Sequence, residues 1–166
     1  MNAVAKAVPI GRAPADSQEL SAIPDALARA LALHRDAWNE FAKGNAGPWK
    51  QHCSHRDDVT IIGAWGGFER GWAAQVEKRY EWAAGRFKGS EGSVELENIS
   101  LVVTAELAYS VDIERARVRV AGRDHLAAMA LRVTTIFRLE DGDWKMVHRH
   151  ADPLLGLQTP QSVTEK

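Results

Sequence analysis

The stretch Leu131–Asp152, LRVTTIFRLEDGDWKMVHRHAD, constrains the fold more than any other. Asp141-Gly142 between two apolar-alternating runs is a strong hairpin signal, because both central residues of a type I′ turn need φ > 0. A two-residue loop there sets Glu140 against Asp143, Leu139 against Trp144, Phe137 against Met146, Thr135 against His148 and Val133 against His150. Strict alternation then sorts the side chains. Leu131, Val133, Thr135, Phe137 and Leu139 share the inner face with Trp144, Met146, His148 and His150. Arg132, Thr134, Ile136 and Arg138 share the outer face with Lys145, Val147 and Arg149. On this reading both imidazoles point toward the core.

Upstream, the apolar period is helical. Ser21 reads as an N-cap with Pro24 in the first turn. Leu27, Leu31, His34, Trp38 and Phe41 then form a buried stripe that ends at Gly44 and Asn45. Pro48 opens a short second helix to about Ser54. His52, Cys53 and His55 follow one another closely there, but no further ligand completes a zinc set, so a solvated helix end is expected. Val59 to Ile62 and Phe68 to Arg70 read as a small hairpin around Gly66-Gly67, with Trp65 at its tip. Trp72, Val76, Tyr80, Ala83 and Phe87 mark the buried side of a third helix, frayed at Gly85 and Gly89. From Ser93 the period becomes two. Strands are expected over Val94–Thr104, Leu107–Val120, Leu126–Leu139 and Trp144–His150, with Tyr109 facing inward.

Helices followed by a run of long antiparallel strands make an α+β layer architecture. The expected form is a cone-shaped half-barrel, with three N-terminal helices packed on a curved antiparallel sheet. Residues 1–20 read as a disordered leader, 21–157 as the domain and 158–166 as a flexible tail. A formal net charge of −1 gives no footprint for nucleic acid, and no apolar run approaches a membrane span. The single cysteine, Cys53, is compatible with a reducing, cytoplasmic setting.

Arg132-x-Thr134, Phe137-Arg138, Asp141-Gly142, Trp144-Lys145 and Val147-His148-x-His150 together resemble the nuclear transport factor 2-like superfamily. Within it they are similar to the SnoaL-like proteins and to the association domain of calcium/calmodulin-dependent kinase type II. The resemblance spans roughly residues 25 to 155. It implies a cone with a pocket at its wide end, often a homodimer through the outer sheet face. Two departures stand out. The positions matching the catalytic aspartate of the superfamily's ketosteroid isomerases are Ile62 and Gly63, shortly after Asp57-Asp58. The association domain's pocket arginine is matched by Thr135.

Two readings of function follow. In the first, a small-molecule-binding domain with an apolar pocket acts as a cofactor-independent isomerase, dehydratase or cyclase. His148 or His150 is then the acid/base and Tyr109 a hydrogen-bond donor, with His34, Trp38, Trp65, Tyr80, Thr135 and Phe137 around the ligand. In the second, the chain is a non-catalytic ligand-binding or oligomerisation module. The partners expected are an unidentified small molecule and a second copy of the chain, with no nucleic acid and no membrane. A metal held by His148 and His150, with His34 or Asp152 as third ligand, is the weaker option, and no metal or other cofactor is called for.

Overall fold

The computed structural model describes residues 23–164; the expected leader and Ser21 lie outside them. Helix α1 (Asp25–Phe41) is followed by α2 (Gly47–His52), then strands β1 (Thr60–Ile62) and β2 (Phe68–Arg70). A π-helical turn (Trp72–Val76) runs into α3 (Glu77–Ala84). Four long strands follow: β3 (Phe87–Val103), β4 (Leu107–Val120), β5 (Leu126–Glu140) and β6 (Asp143–Pro153). A 3₁₀ turn (Pro160–Val163) lies in the exposed tail. The sheet order is β2-β1-β6-β5-β4-β3. All pairs are antiparallel except β1 with β6, a parallel pairing the sequence does not announce. The curled, unclosed sheet holds the helices in its hollow, which is the expected α+β cone.

The helical stripe of α1 buries Leu27, His34, Trp38 and Phe41. Gly44 lies at φ 93°, and a Cβ there would stand 2.9 Å from the Phe87 carbonyl oxygen, so the chain leaves α1 at a position only glycine fits. Trp72, Val76 and Tyr80 are buried as expected. The third helix stops earlier than its pattern suggests. Phe87 instead begins β3 and carries its ring into the core, and Gly89 and Gly92 lie within that strand, at an irregularity in its pairing with β4.

The β5–β6 turn is the one expected, with Asp141 at φ 52° and Gly142 at φ 92°. Glu140 pairs with Asp143, Leu139 with Trp144 and Phe137 with Met146. Beyond that point the register shifts. Ile136 pairs with His148, Thr135 with Arg149, Thr134 with His150 and Val133 with Ala151. Val147 is therefore an extra residue on β6, a β-bulge, and every side chain after it changes face. The bulge sits where the far neighbour of β6 changes. Met146 bridges to Cys53, and its carbonyl accepts from Ser54 N–H at 2.8 Å, whereas His148 pairs with Thr60 of β1.

Strand β4 is also turned relative to expectation. Its buried set is Ala108, Ser110, Asp112, Glu114, Ala116 and Val118, and Leu107 and Tyr109 are exposed. Polar residues occupy the inside because partners meet them there. Asn98 donates to Asp112 at 2.8 Å, and Glu114 joins the network described next.

Candidate functional site

The bulge brings Arg149, rather than a histidine, into the cone. Its Nη1 and Nη2 donate to Glu114 Oε1 and Oε2 at 2.8 and 2.7 Å. The Trp38 indole N–H donates to the same carboxylate at 2.8 Å. Arg149 and Glu114 are only 7 % and 2 % exposed. The guanidinium carbon lies 5.8 Å from the Trp38 ring centre and 5.4 Å from that of Trp49. Burial works against the Arg149 charge, but the Glu114 carboxylate outweighs it and holds the pKa above its ordinary value. The fork geometry suits both charges, as a bidentate arginine–carboxylate pair requires.

Arg149 also lines a cavity of about 70 Å³ at the mouth of the cone. Its walls are largely aromatic, from Trp38, Phe41, Trp65, Tyr80 and Phe87, with Met129 opposite. Three expected ligand residues, Trp38, Trp65 and Tyr80, therefore meet at one cavity. The other three do not line it. Phe137 and Thr135 are fully buried, and His34 packs against Trp49 at 4.9 Å and edge-on to Phe137 at 5.6 Å. Thr135 faces Arg149 across the strand pair, not His148, and its hydroxyl has no partner.

The inward placement of His148, His150 and Tyr109 is corrected. His148 lies on the outer face, with Nδ1 2.7 Å from Thr60 Oγ1. Its pKa is lowered by partial burial and then by His150 nearby. His150 is paired with Asp152, Nε2 to Oδ2 3.1 Å, and its side chain is 43 % exposed. Tyr109 is 41 % exposed on the outer side of β4. The physical reason is the bulge for the two histidines, and the polar interior of β4 for the tyrosine.

Other readings also shift. His52 is buried rather than solvated. It packs 5.1 Å from His34, and burial, with a smaller contribution from Lys145, lowers its pKa to about 4. Burial, then the charge of His52, holds His34 well below the usual imidazole range. His55 stacks on Trp72 at 4.1 Å, away from His52's surroundings. Among the described residues no group of three or more His, Cys, Asp or Glu side chains is arranged to hold a metal ion. Of the positions matching the isomerase base, Gly63 lines the cavity without a side chain, and Ile62 pairs with His150. Asp58 clamps Arg138, at 2.6 and 3.1 Å.

Arg149 and Glu114 are the residues the sequence reading missed. The pattern of β6 alone does not mark the bulge: Met146-Val147 sets two apolar residues side by side, but so does Ile136-Phe137 on β5, where no residue is extra.

The SnoaL-like domain family matches residues 30–154. The chain belongs to that family. No curated protein matches this SnoaL-like domain. Among solved structures it is similar to a nuclear transport factor 2 (NTF2-like) superfamily protein from Salmonella enterica serovar Typhimurium. That match has 16 % identity and a TM-score of 0.67, over 82 % of this chain and 95 % of the other. It is similar to a ketosteroid isomerase-like protein from Erwinia carotovora atroseptica, at 12 % identity and TM-score 0.64, over 80 % and 96 %. It is also similar to a candidate dehydratase of the NTF2-like family from Streptomyces avermitilis, at 16 % identity and TM-score 0.62, over 80 % and 96 %. At these identities the likeness establishes the NTF2-like cone and not an activity. Among the described residues, no helix of the SnoaL-like domain is long and apolar enough to cross a membrane.

Proposed function

We propose that this SnoaL-like domain binds a small, largely apolar molecule in the mouth of its cone, with the Arg149–Glu114 pair as the polar floor. The observation that carries this reading is the aromatic cavity ending on a neutralised guanidinium. Apolar walls with a few convergent polar groups, here Arg149 and Arg79, are the usual make-up of a ligand site. Trp38, Trp65 and Tyr80 would touch the ligand, and His34, Thr135 and Phe137 would support the chamber without lining it.

The groups facing the cavity favour binding over acid–base turnover. Arg149 is held by Glu114 and Arg79 lies 3.7 Å from Glu69, so each cation already has a carboxylate partner, and a guanidinium is a hydrogen-bond donor rather than an acid or base. Burial keeps the Tyr80 hydroxyl protonated well above its ordinary pKa. The dehydratase and isomerase-like neighbours make isomerase, dehydratase or cyclase chemistry the second reading. Catalysis by His148, His150 and Tyr109 would need a substrate on the outer face.

Titration with octanol, followed by tryptophan fluorescence, tests the first reading. Trp38 and Trp65 should report saturable binding, and Ala83→Leu, which fills the chamber, should abolish it. Equal binding by both proteins, or none by the wild type, would refute it.

The same proposal includes a cytoplasmic setting and a homodimer through the outer sheet face. Val102, Tyr109, Ile136 and His148 form one row across β3 to β6. Val102 and Tyr109 are both 41 % exposed, which favours a covering partner on that face.

A further inference from the structure

The cavity at the cone mouth holds only part of a ligand. At about 70 Å³ it is less than half of the ~150 Å³ apolar cavity that admits benzene. A molecule that uses it must leave most of its body outside. Trp65 and Met129 line both this cavity and a groove of about 530 Å³ between the end of α3 and the β4–β5 turn. The two spaces are therefore neighbours across shared side chains.

The groove has its own chemistry. Trp65 and Trp82 stand on its wall, 45 % and 40 % exposed, with ring centres 5.9 Å apart, edge to face. The Arg86 guanidinium carbon lies 3.4 Å from the Trp82 ring centre, and its Nη1 donates to the Trp82 carbonyl at 3.0 Å. That stacking fixes one end of the group, and among the described residues nothing else engages its remaining N–H donors. Arg123 lines the same groove from the β4–β5 turn. Among the described residues no carboxylate lines it, and neither Arg86 nor Arg123 has a carboxylate partner. Neighbouring arginines do: Arg79 lies 3.7 Å from Glu69, and Arg119 lies 2.7 Å from Glu91. Two unmatched guanidiniums beside two exposed indoles, in a chain of net charge −1, make a local site for an anion.

We infer that this groove takes the acidic end of the ligand whose apolar head enters the cavity. The ligand class is an amphipathic acid, with a carboxylate or phosphate against Arg86 and Arg123. This inference rests on the reading of the cavity as a binding site.

The test compares octanol, octanoate and octyl phosphate on the full chain at low salt, by tryptophan fluorescence and calorimetry. At least one acid should bind roughly tenfold or more tightly than octanol, the scale of one charge-assisted hydrogen bond. That advantage, measured against octanol on the same variant, should vanish in R86Q/R123Q. The single variant R123Q, on an exposed turn, should lose part of it and guards against a folding defect. The acid with the larger gain identifies the outer group. Equal affinities of all three probes for the wild type overturn the subsite, as does an advantage that survives in R86Q/R123Q; either result leaves the cavity standing so long as octanol binds. No binding of any probe overturns the cavity and the groove together.

Discussion

Replacing Arg149 by methionine should be among the most damaging single changes in this protein. The variant leaves the Glu114 carboxylate at 2 % exposure, with Trp38 as its one remaining donor. Breaking a buried, well-formed pair from either side costs about 3–5 kcal/mol, because the stranded charge is not rehydrated. Glu114→Leu should cost a similar amount, since it strands the guanidinium between Trp38 and Trp49. The double variant E114L/R149M removes both charges and leaves one unpaired indole N–H, which costs about 1–3 kcal/mol. If the single effects were additive, the double variant would lose about 6–10 kcal/mol. The expected coupling is therefore about 3 kcal/mol or more, well above the ~0.5 kcal/mol scatter of independent sites. Urea unfolding at neutral pH, followed by far-UV circular dichroism, measures all four proteins of the cycle. Singles within about 1 kcal/mol of wild type, or a double variant equal to their sum, would refute the assignment of this pair as the buried electrostatic centre.

Three further outcomes follow from the same geometry. His52 has a folded pKa of about 4 against an ordinary 6.5, so the unfolded chain takes up its proton first as pH falls; stability should be full above about 6.5 and lost toward 4, by about 3 kcal/mol for this group, and His52→Leu should flatten that part of a pH-resolved urea series. Gly142→Ala should cost about 1–2 kcal/mol through backbone strain alone, because φ is 92° and no neighbour lies within 4 Å of the added methyl; Gly142→Asn should cost less, and equal losses in thermal melts would count against the turn. Tyr109→Glu should convert a dimer to a monomer in sedimentation equilibrium without changing the monomer's fold, and a wild-type chain that sediments as a monomer would dismiss the outer-face contact.

Most of the architecture is legible because it rests on local chemistry. Asp141-Gly142 dictates its turn, and the stripe from Leu27 to Phe41 dictates which side of α1 is buried. The residues that build the cavity are partly legible for the same reason: Trp38 and Tyr80 lie on buried helical stripes. The orientation of the last strand is not, since it depends on non-local pairing. β6 meets Cys53 before Val147 and Thr60 after it, and the sequence of β6 alone holds no record of either neighbour. Strand β4 misleads in a second way. Leu107, Tyr109, Val111 and Ile113 look like a core side, but Arg149 and Trp38 supply partners that make Glu114 the buried residue instead.

The extra residue at Val147 also sets how this domain can change. A strand carrying imidazole, guanidinium and imidazole in succession holds two chemistries back to back, and the parity of the chain decides which looks into the hollow. Loss of that one residue would turn both rings toward the chamber and the guanidinium away from it, leaving the buried Glu114 carboxylate without its partner. Insertion or deletion at this one position would thus exchange the lining of the chamber as a whole, which no single substitution within it can do.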